Sequence, residues 1–146
     1  MNDPLDDLAA GIDPARMGQA KIAIDAFIAA YNLGEAELID IRVAEETAVW
    51  QVNIGLRIPA PELPARLDEL PKDKLLVIAC PHTDRSNMAR SYLVARGFNA
   101  KYLQGGLLGL VDRLKGVGAQ DICLRDCLET HPIKTMTYGP LGKVNG

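Results

Sequence analysis

The hydrophobic pattern of this chain alternates between short apolar runs and longer stretches with helical spacing. Residues 75–79 are the most continuously apolar short run, with Pro71-Lys72-Asp73-Lys74 before them and a polar loop after them. Such a run predicts a central parallel strand that is covered on both faces. Residues 38–41 and 101–103 predict two more short strands.

Helical spacing dominates between these strands. Asp13-Pro14 is a good helix start, with an acceptor at the N-cap and proline at the first helical position, and Gly34 supplies a stop. The helix predicted at 86–96 should direct Met88, Tyr92 and Leu93 inward. The remaining predicted helices cover residues 45–52, 63–70, 106–114 and 121–130.

Strands that alternate with helices predict an α/β fold of three layers, with a mostly parallel sheet between helices on both faces. Three segments are expected: a loose N-terminal segment at 1–12, the α/β domain at 13–115, and a C-terminal helix with an extended tail at 116–146. Ligands of such folds bind beyond the carboxyl ends of the strands. Cys80 and Asp40 both lie at such ends.

Composition narrows the functional classes. The 146 residues include 16 basic and 19 acidic ones, a net charge of -3, which argues against nucleic acid as a partner. No apolar run approaches membrane-spanning length, so no membrane association is expected. The acidic start lacks the regions of a signal peptide, and three cysteines cannot form a complete disulfide framework. We therefore expect a cytoplasmic protein with at least one useful thiol.

The loop after the central strand has the features of a reactive thiol site. Cys80 ends the strand, and Arg85 and Ser86 follow where the next helix should begin. Inward-pointing loop amides and the positive end of a helix favour a thiolate, and Arg85 adds a charge that persists at all working pH values. Ser86 is placed to act as an N-cap or as a donor to the loop.

The order and spacing of several short motifs resemble the rhodanese-like family. Asp40-Ile41-Arg42 followed by Glu45-Glu46 is similar to its D-V-R-x-x-x-E start, and Ile58-Pro59 with the following leucines is similar to its I-P segment. The pattern V-V-x-x-C-x-x-x-x-R-S, G-F, L-x-G-G is matched by 76–80, Arg85-Ser86, Gly97-Phe98 and 103–106. The resemblance runs from about residue 38 to about residue 114, so the domain at 13–115 is expected to be rhodanese-like.

The resemblance implies a sulfurtransferase that carries sulfane sulfur as a persulfide. The donor would be thiosulfate, another small sulfur donor or a persulfide-bearing protein, and the acceptor a thiol or another nucleophile. Neither a metal nor an organic cofactor is implied. The implied catalytic residues are Cys80 and Arg85, and the implied substrate-binding residues are His82, Thr83, Asp84, Ser86 and Arg42.

Three of these residues allow more than one interpretation. Asp84 places a negative charge in the loop, which weakens the attraction for an anionic donor such as thiosulfate, so a persulfide is an equally good candidate. His82 either tunes the thiolate or is an exposed polar residue. Arg42 either contacts substrate or pins neighbouring loops together with Asp40.

Cys123, Cys127 and His131 recur at a spacing of four, which would align them on one helix face. Three interpretations stay open: metal ligation, acceptance of sulfur from Cys80, or two small semi-buried cysteines. Pro132 disfavours helical geometry at His131, and the sequence shows no fourth ligand nearby.

Two other functions fit the same fold. The rhodanese-like dual-specificity phosphatases use a cysteine loop one residue longer, which suits a tetrahedral oxyanion, so a phosphatase or arsenate reductase ranks below sulfur transfer. A non-catalytic interaction module is the other alternative. The presence of Cys80 and Arg85 argues against it.

Overall fold

A five-stranded parallel sheet forms the centre of the molecule. The computed structural model describes residues 3–123 and a separate antiparallel pair of two-residue strands, β6 (Tyr138–Gly139) and β7 (Lys143–Val144). The sheet order is β1-β5-β4-β2-β3, and every neighbouring pair in it is parallel. Its strands are β1 (Lys21–Ile22), β2 (Ala36–Asp40), β3 (Leu56–Arg57), β4 (Leu75–Ala79) and β5 (Ala100–Leu103).

Helices and short 3₁₀ segments connect these strands. The 3₁₀ segments are Ala60–Ala65, Leu67–Glu69 and Gly116–Asp121. The α-helices are α1 (Pro4–Ala10), α2 (Pro14–Gln19), α3 (Ile24–Asn32), α4 (Ala44–Val49), α5 (Asp84–Ala95) and α6 (Gly106–Leu114). None of the helices within the described part of the chain has the length and apolarity needed to cross a bilayer.

Apolar side chains cover both faces of the sheet, as the continuous apolarity of β4 predicts. Leu38 and Val77 point to one face, where they pack with residues of α3 and α6 such as Phe27 and Leu107. Their neighbours along the strands, Ile39 and Ile78, point to the other face. There they pack with residues of the first 3₁₀ segment and of α5, namely Leu63, Ala89 and Leu93. The three-layer α/β fold expected from the sequence is therefore confirmed.

The N-terminal region differs from its prediction. A helix, α1, occupies most of the expected loose segment at 1–12, with the Asp3 carboxylate accepting a hydrogen bond from the Leu5 N–H and proline at the first helical position. The expected helix from Asp13 is broken after α2, because Ala20 and Ile22 accept hydrogen bonds from main-chain amides of the β5 segment. Strand pairing of β1 has therefore overridden the helical spacing.

Two further predictions need correction. Met88 was expected to face inward, but its side chain is 76% exposed because α5 packs through Ala89 and Leu93. The expected helix at 63–70 is replaced by two 3₁₀ segments, with Pro64 inside the first. Most of the helix predicted at 121–130 lies outside the described residues.

Candidate active site

Cys80 immediately follows the central strand at the carboxyl edge of the sheet. Strands β2 and β4 are paired from Ala36↔Leu75 to Asp40↔Ala79, so the segments after both strands leave the sheet at the same level. The Cys80 side chain is fully buried in the apolar cluster on the α5 face. The sequence prediction that Cys80 and Asp40 share this edge is borne out by the register.

The sulfur of Cys80 accepts a hydrogen bond from the first turn of α5. The Ser86 N–H donates to Cys80 Sγ at 3.3 Å. Helix α5 begins at Asp84, two residues earlier than expected, and the side chain of its N-cap residue Thr83 makes no capping hydrogen bond. The sulfur therefore takes the position of the acceptor that an N-cap side chain usually supplies to the third helical amide.

The remaining contacts around the loop fix its shape. The Ser86 hydroxyl donates to the Thr83 carbonyl at 3.1 Å, and the Asn87 N–H donates to the same carbonyl at 3.0 Å. Thr83 has a φ of -139°, so it does not occupy the left-handed region that favours glycine. Asp84 is placed with its Oδ1 4.0 Å from Cys80 Sγ, so a carboxylate lies beside the sulfur.

Arg85 is bound to a carboxylate that the sequence analysis did not assign to the site. Its Nη1 and Nη2 donate to the two oxygens of Glu46 at 2.6 and 2.9 Å. The hydrogen bond from Arg85 lowers the pKa of Glu46, and the same pair raises the pKa of Arg85, with smaller contributions from Cys80 and Asp84. The arginine charge is therefore near the thiol but largely offset by Glu46.

Helix α6 holds the other side of the cysteine loop. The Leu107 N–H donates to the Cys80 carbonyl at 2.8 Å, and the Leu108 N–H donates to the Pro81 carbonyl at 3.3 Å. Gly106 has a φ of +65°, and a Cβ at this position would lie 2.2 Å from the His82 carbonyl oxygen. Only glycine permits this approach, so Gly106, a residue of the L-x-G-G motif, joins Glu46 as a site residue that was not predicted from the sequence.

His82 and Arg42 have very different surroundings. The His82 side chain is exposed. Arg42 is 1% exposed, donates to both Asp40 oxygens, and lies with its guanidinium carbon 3.9 Å from the centre of the Trp50 ring. The buried ion pair of Asp40 and Arg42 thus fixes the conformation of the segment after β2. A substrate contact by Arg42 stays a prediction. Its Nη1 is buried without a hydrogen-bond partner among the described residues.

The cysteines near the C-terminus are only partly described. Cys123 is exposed, and its main-chain N–H donates to Asn32 Oδ1 at 2.7 Å. Cys127 and His131 lie outside the described residues, so the interpretations of this trio stay predictions.

Curated proteins of similar sequence are sulfurtransferases by name. A sulfurtransferase of Allochromatium vinosum is 36% identical over 72 residues, which cover 49% of this chain and 67% of that protein. The putative sulfurtransferase YtwF of Bacillus subtilis is 32% identical over 74 residues, covering 51% of this chain and 72% of that protein. No protein-family model matches the chain.

Solved structures of similar fold include rhodanese-like domains. A rhodanese-like domain protein of Staphylococcus aureus is 28% identical, with a TM-score of 0.54, and the match covers 62% of this chain and 89% of that one. The reduced CoADR-RHD of Bacillus anthracis is also 28% identical, with a TM-score of 0.58 over 64% of this chain. The chain spans only 17% of that larger protein.

Proposed function

The chain belongs to the rhodanese-like sulfurtransferase family, and we propose that Cys80 carries sulfane sulfur as a persulfide between a donor and a thiol acceptor. The observation that carries the proposal is the 3.3 Å hydrogen bond from the Ser86 N–H to Cys80 Sγ at the start of α5. An amide donor at a helix N-terminus stabilises negative charge on sulfur, both on an attacking thiolate and on a persulfide.

The reaction then consists of two displacements at sulfur. The Cys80 thiolate attacks the sulfane sulfur of the donor, the donor S–S bond breaks, and its electron pair leaves with sulfite or with a thiolate. The acceptor thiolate next attacks the terminal sulfur of the Cys80 persulfide. The Cys80 thiolate leaves with the electron pair and is regenerated, so no external oxidant or reductant is needed.

The charges around the loop favour a persulfide over thiosulfate as the donor. Asp84 Oδ1 lies 4.0 Å from the sulfur, and Glu46 offsets the charge of Arg85. A thiosulfate dianion that approaches the cysteine loop would therefore meet little net positive charge. The proposed partners are a low-molecular-weight or protein persulfide and a thiol acceptor, in the reducing cytoplasm that the cysteine content favours.

The contacts of helix α6 give the loop a role in persulfide binding. The main-chain amides of Leu107 and Leu108 donate to the carbonyls of Cys80 and Pro81, so both carbonyl oxygens already have a hydrogen-bond partner in α6. With these acceptors engaged, we expect main-chain amides of the loop, like that of Ser86, to be the groups that bind the second sulfur atom.

Intact-mass measurement after incubation with sulfur donors tests the proposal. Wild type is compared with Cys80→Ser and with Cys123→Ser, which removes an exposed thiol as a matched control. A reducible gain of one sulfur atom in wild type and in Cys123→Ser, but not in Cys80→Ser, is expected. No gain with thiosulfate, cysteine persulfide or glutathione persulfide, from a protein whose Cys80 can be alkylated, would favour a non-catalytic interaction module.

A further inference from the structure

A concave site lies on the α5 side of the molecule, between α5 and the N-terminal helices. The cavity has a volume of about 680 Å³, and its walls are formed by α1, α2, the outer face of α5 and the start of β5. This volume is within the range of small-molecule sites in proteins. None of the sulfur-site residues Cys80, Asp84, Arg85 and Ser86 lines it.

Two cations line this cavity without a carboxylate partner among the described residues. Arg90 Nε donates to Asn87 Oδ1 at 3.3 Å and Arg90 Nη2 to the Ser91 hydroxyl at 3.1 Å, so all its observed partners are neutral. Burial lowers the pKa of Arg90. Lys101 Nζ donates to the main-chain carbonyl of Gln19, which is also neutral.

The charge of the cavity is positive overall. Asp7 is the one carboxylate among its lining residues, and the third lining cation, Arg16, has its own partner in Asp13 at 3.5 Å. A partly buried arginine that has only neutral partners retains N–H groups and charge for an incoming anion. The site therefore favours a negatively charged group near Arg90 and Lys101.

Apolar side chains complete the walls. Ile12 is 69% exposed and Val94 is 46% exposed, and both line the cavity together with Leu8 and Met17. Apolar surface of this kind becomes buried when a ligand with an apolar body enters, which is favourable by about 25 cal/mol per Å².

We propose that this cavity binds a small organic anion, with its carboxylate, sulfonate or phosphate group on Arg90 and Lys101 and its apolar body between α1–α2 and α5. The site is separate from the sulfur chemistry. Binding therefore does not require the thiol of Cys80.

Fluorescence titration of the full chain with 8-anilinonaphthalene-1-sulfonate, an apolar anion, tests this proposal. Wild type and Cys80→Ser are expected to bind the probe equally. Arg90→Gln should bind it about tenfold more weakly, the typical effect of losing a charge-assisted hydrogen bond. Arg96→Gln is the matched control, because it removes the same charge just after α5 from a residue that does not line the cavity.

Two further measurements keep the test decisive if Arg90→Gln folds poorly by circular dichroism. The uncharged analogue N-phenyl-1-naphthylamine should bind wild type at least about tenfold more weakly than the sulfonate. Amide resonances of Asn87, Ser91 and Lys101 should shift when the sulfonate is added to labelled wild type. Equal binding of the charged and uncharged probes, equal loss in Arg90→Gln and Arg96→Gln, or shifts confined to other residues would overturn the proposal.

Discussion

Arg85 and Glu46, which are 39 residues apart in the chain, form a two-point ion pair that joins the cysteine loop to helix α4. The two N–O distances of 2.6 and 2.9 Å match the fork geometry in which arginine holds a carboxylate. The pair fixes the guanidinium beside the loop. It also removes much of the positive charge that an isolated Arg85 would present to a donor.

Substitution of Glu46 by glutamine should release this charge. We expect the KM for thiosulfate to fall about threefold, because Arg85 is then free to attract the dianion, while the KM for cysteine persulfide, which carries less negative charge, should fall less. Steady-state sulfur transfer with both donors measures the change. Glu69→Gln, which removes a carboxylate paired with Arg66, is the control and should leave both KM values unaltered. An unchanged thiosulfate KM in Glu46→Gln would show that Glu46 does not reduce the attraction of Arg85 for the donor.

The same pair predicts a pH dependence of stability. Arg85 holds the folded-state pKa of Glu46 below its ordinary value of 4.5, so the carboxylate binds fewer protons in the folded state. The stabilisation of the folded state by the Arg85–Glu46 pair is therefore complete above about pH 4.5 and is lost as the pH falls through the lowered pKa of Glu46. Because both side chains are partly exposed, it should not exceed about 1 kcal/mol. The difference in thermal midpoint between wild type and Glu46→Gln should be present at pH 7 and become steadily smaller as the pH falls below 4.5. A difference that grows as the pH falls would contradict this prediction.

Asp84 should lower the reactivity of the Cys80 thiol, because its carboxylate lies beside the sulfur. A unit negative charge 4.0 Å from the sulfur opposes a second negative charge by about 1 kcal/mol even at the dielectric of bulk water, a factor of about five, and the burial of Cys80 makes this a lower bound. In a background with both Cys123→Ser and Cys127→Ser, Asp84→Asn should thus react with iodoacetamide about fivefold faster at fixed pH. Asp73→Asn removes an exposed acid from the loop before β4 and should react at the parental rate. Equal rates in Asp84→Asn and its parent would show that the carboxylate does not act on the sulfur.

The part of the site that the sequence predicts is the part built from neighbouring residues. The apolar run at 75–79, between a charged segment before it and a polar loop after it, coincides with β4. A cysteine at the end of a strand before a helix accounts for the contact between Cys80 and Ser86. These relationships need only local periodicity and the rule that ligands bind at the carboxyl ends of strands.

The features that were missed depend on which distant segments meet. Glu46 reaches Arg85 only because β2 and β4 are adjacent in the sheet. Glycine is required at position 106 only because α6 packs so closely on the loop that a Cβ there would lie 2.2 Å from the His82 carbonyl oxygen. Met88 has helical spacing with Tyr92, yet α5 is rotated so that Ala89 and Leu93 face the core. Periodicity gives a helix one apolar face but does not fix the rotation with which it packs.

The buried pair of Asp40 and Arg42 should contribute strongly to folding. Asp40→Asn leaves the buried guanidinium without its counter-ion, which typically costs about 3 kcal/mol. Urea unfolding measures this loss, and Trp50, the single tryptophan, should change its emission because Arg42 lies over its ring. Glu62→Gln weakens a surface pair with Arg66 and should change the midpoint little. A loss as small as that of Glu62→Gln would mean that the buried pair is not needed for stability.

Gly106→Ala should disrupt the cysteine loop itself. The new Cβ would lie 2.2 and 2.3 Å from the carbonyl oxygens of His82 and Pro81, so either α6 or the loop must move. Gly97→Ala is the matched control, because Gly97 also has a positive φ, +91°, but nothing lies within 4 Å of its added Cβ. The backbone strain shared by both variants is about 1 to 2 kcal/mol. We expect Gly97→Ala to lose only that stability and to keep sulfur loading, whereas Gly106→Ala loses more stability and most of its loading, as followed by urea unfolding and intact mass. If the two variants lost equal stability and kept equal loading, the packing of α6 would not be what holds the loop in its persulfide-binding shape.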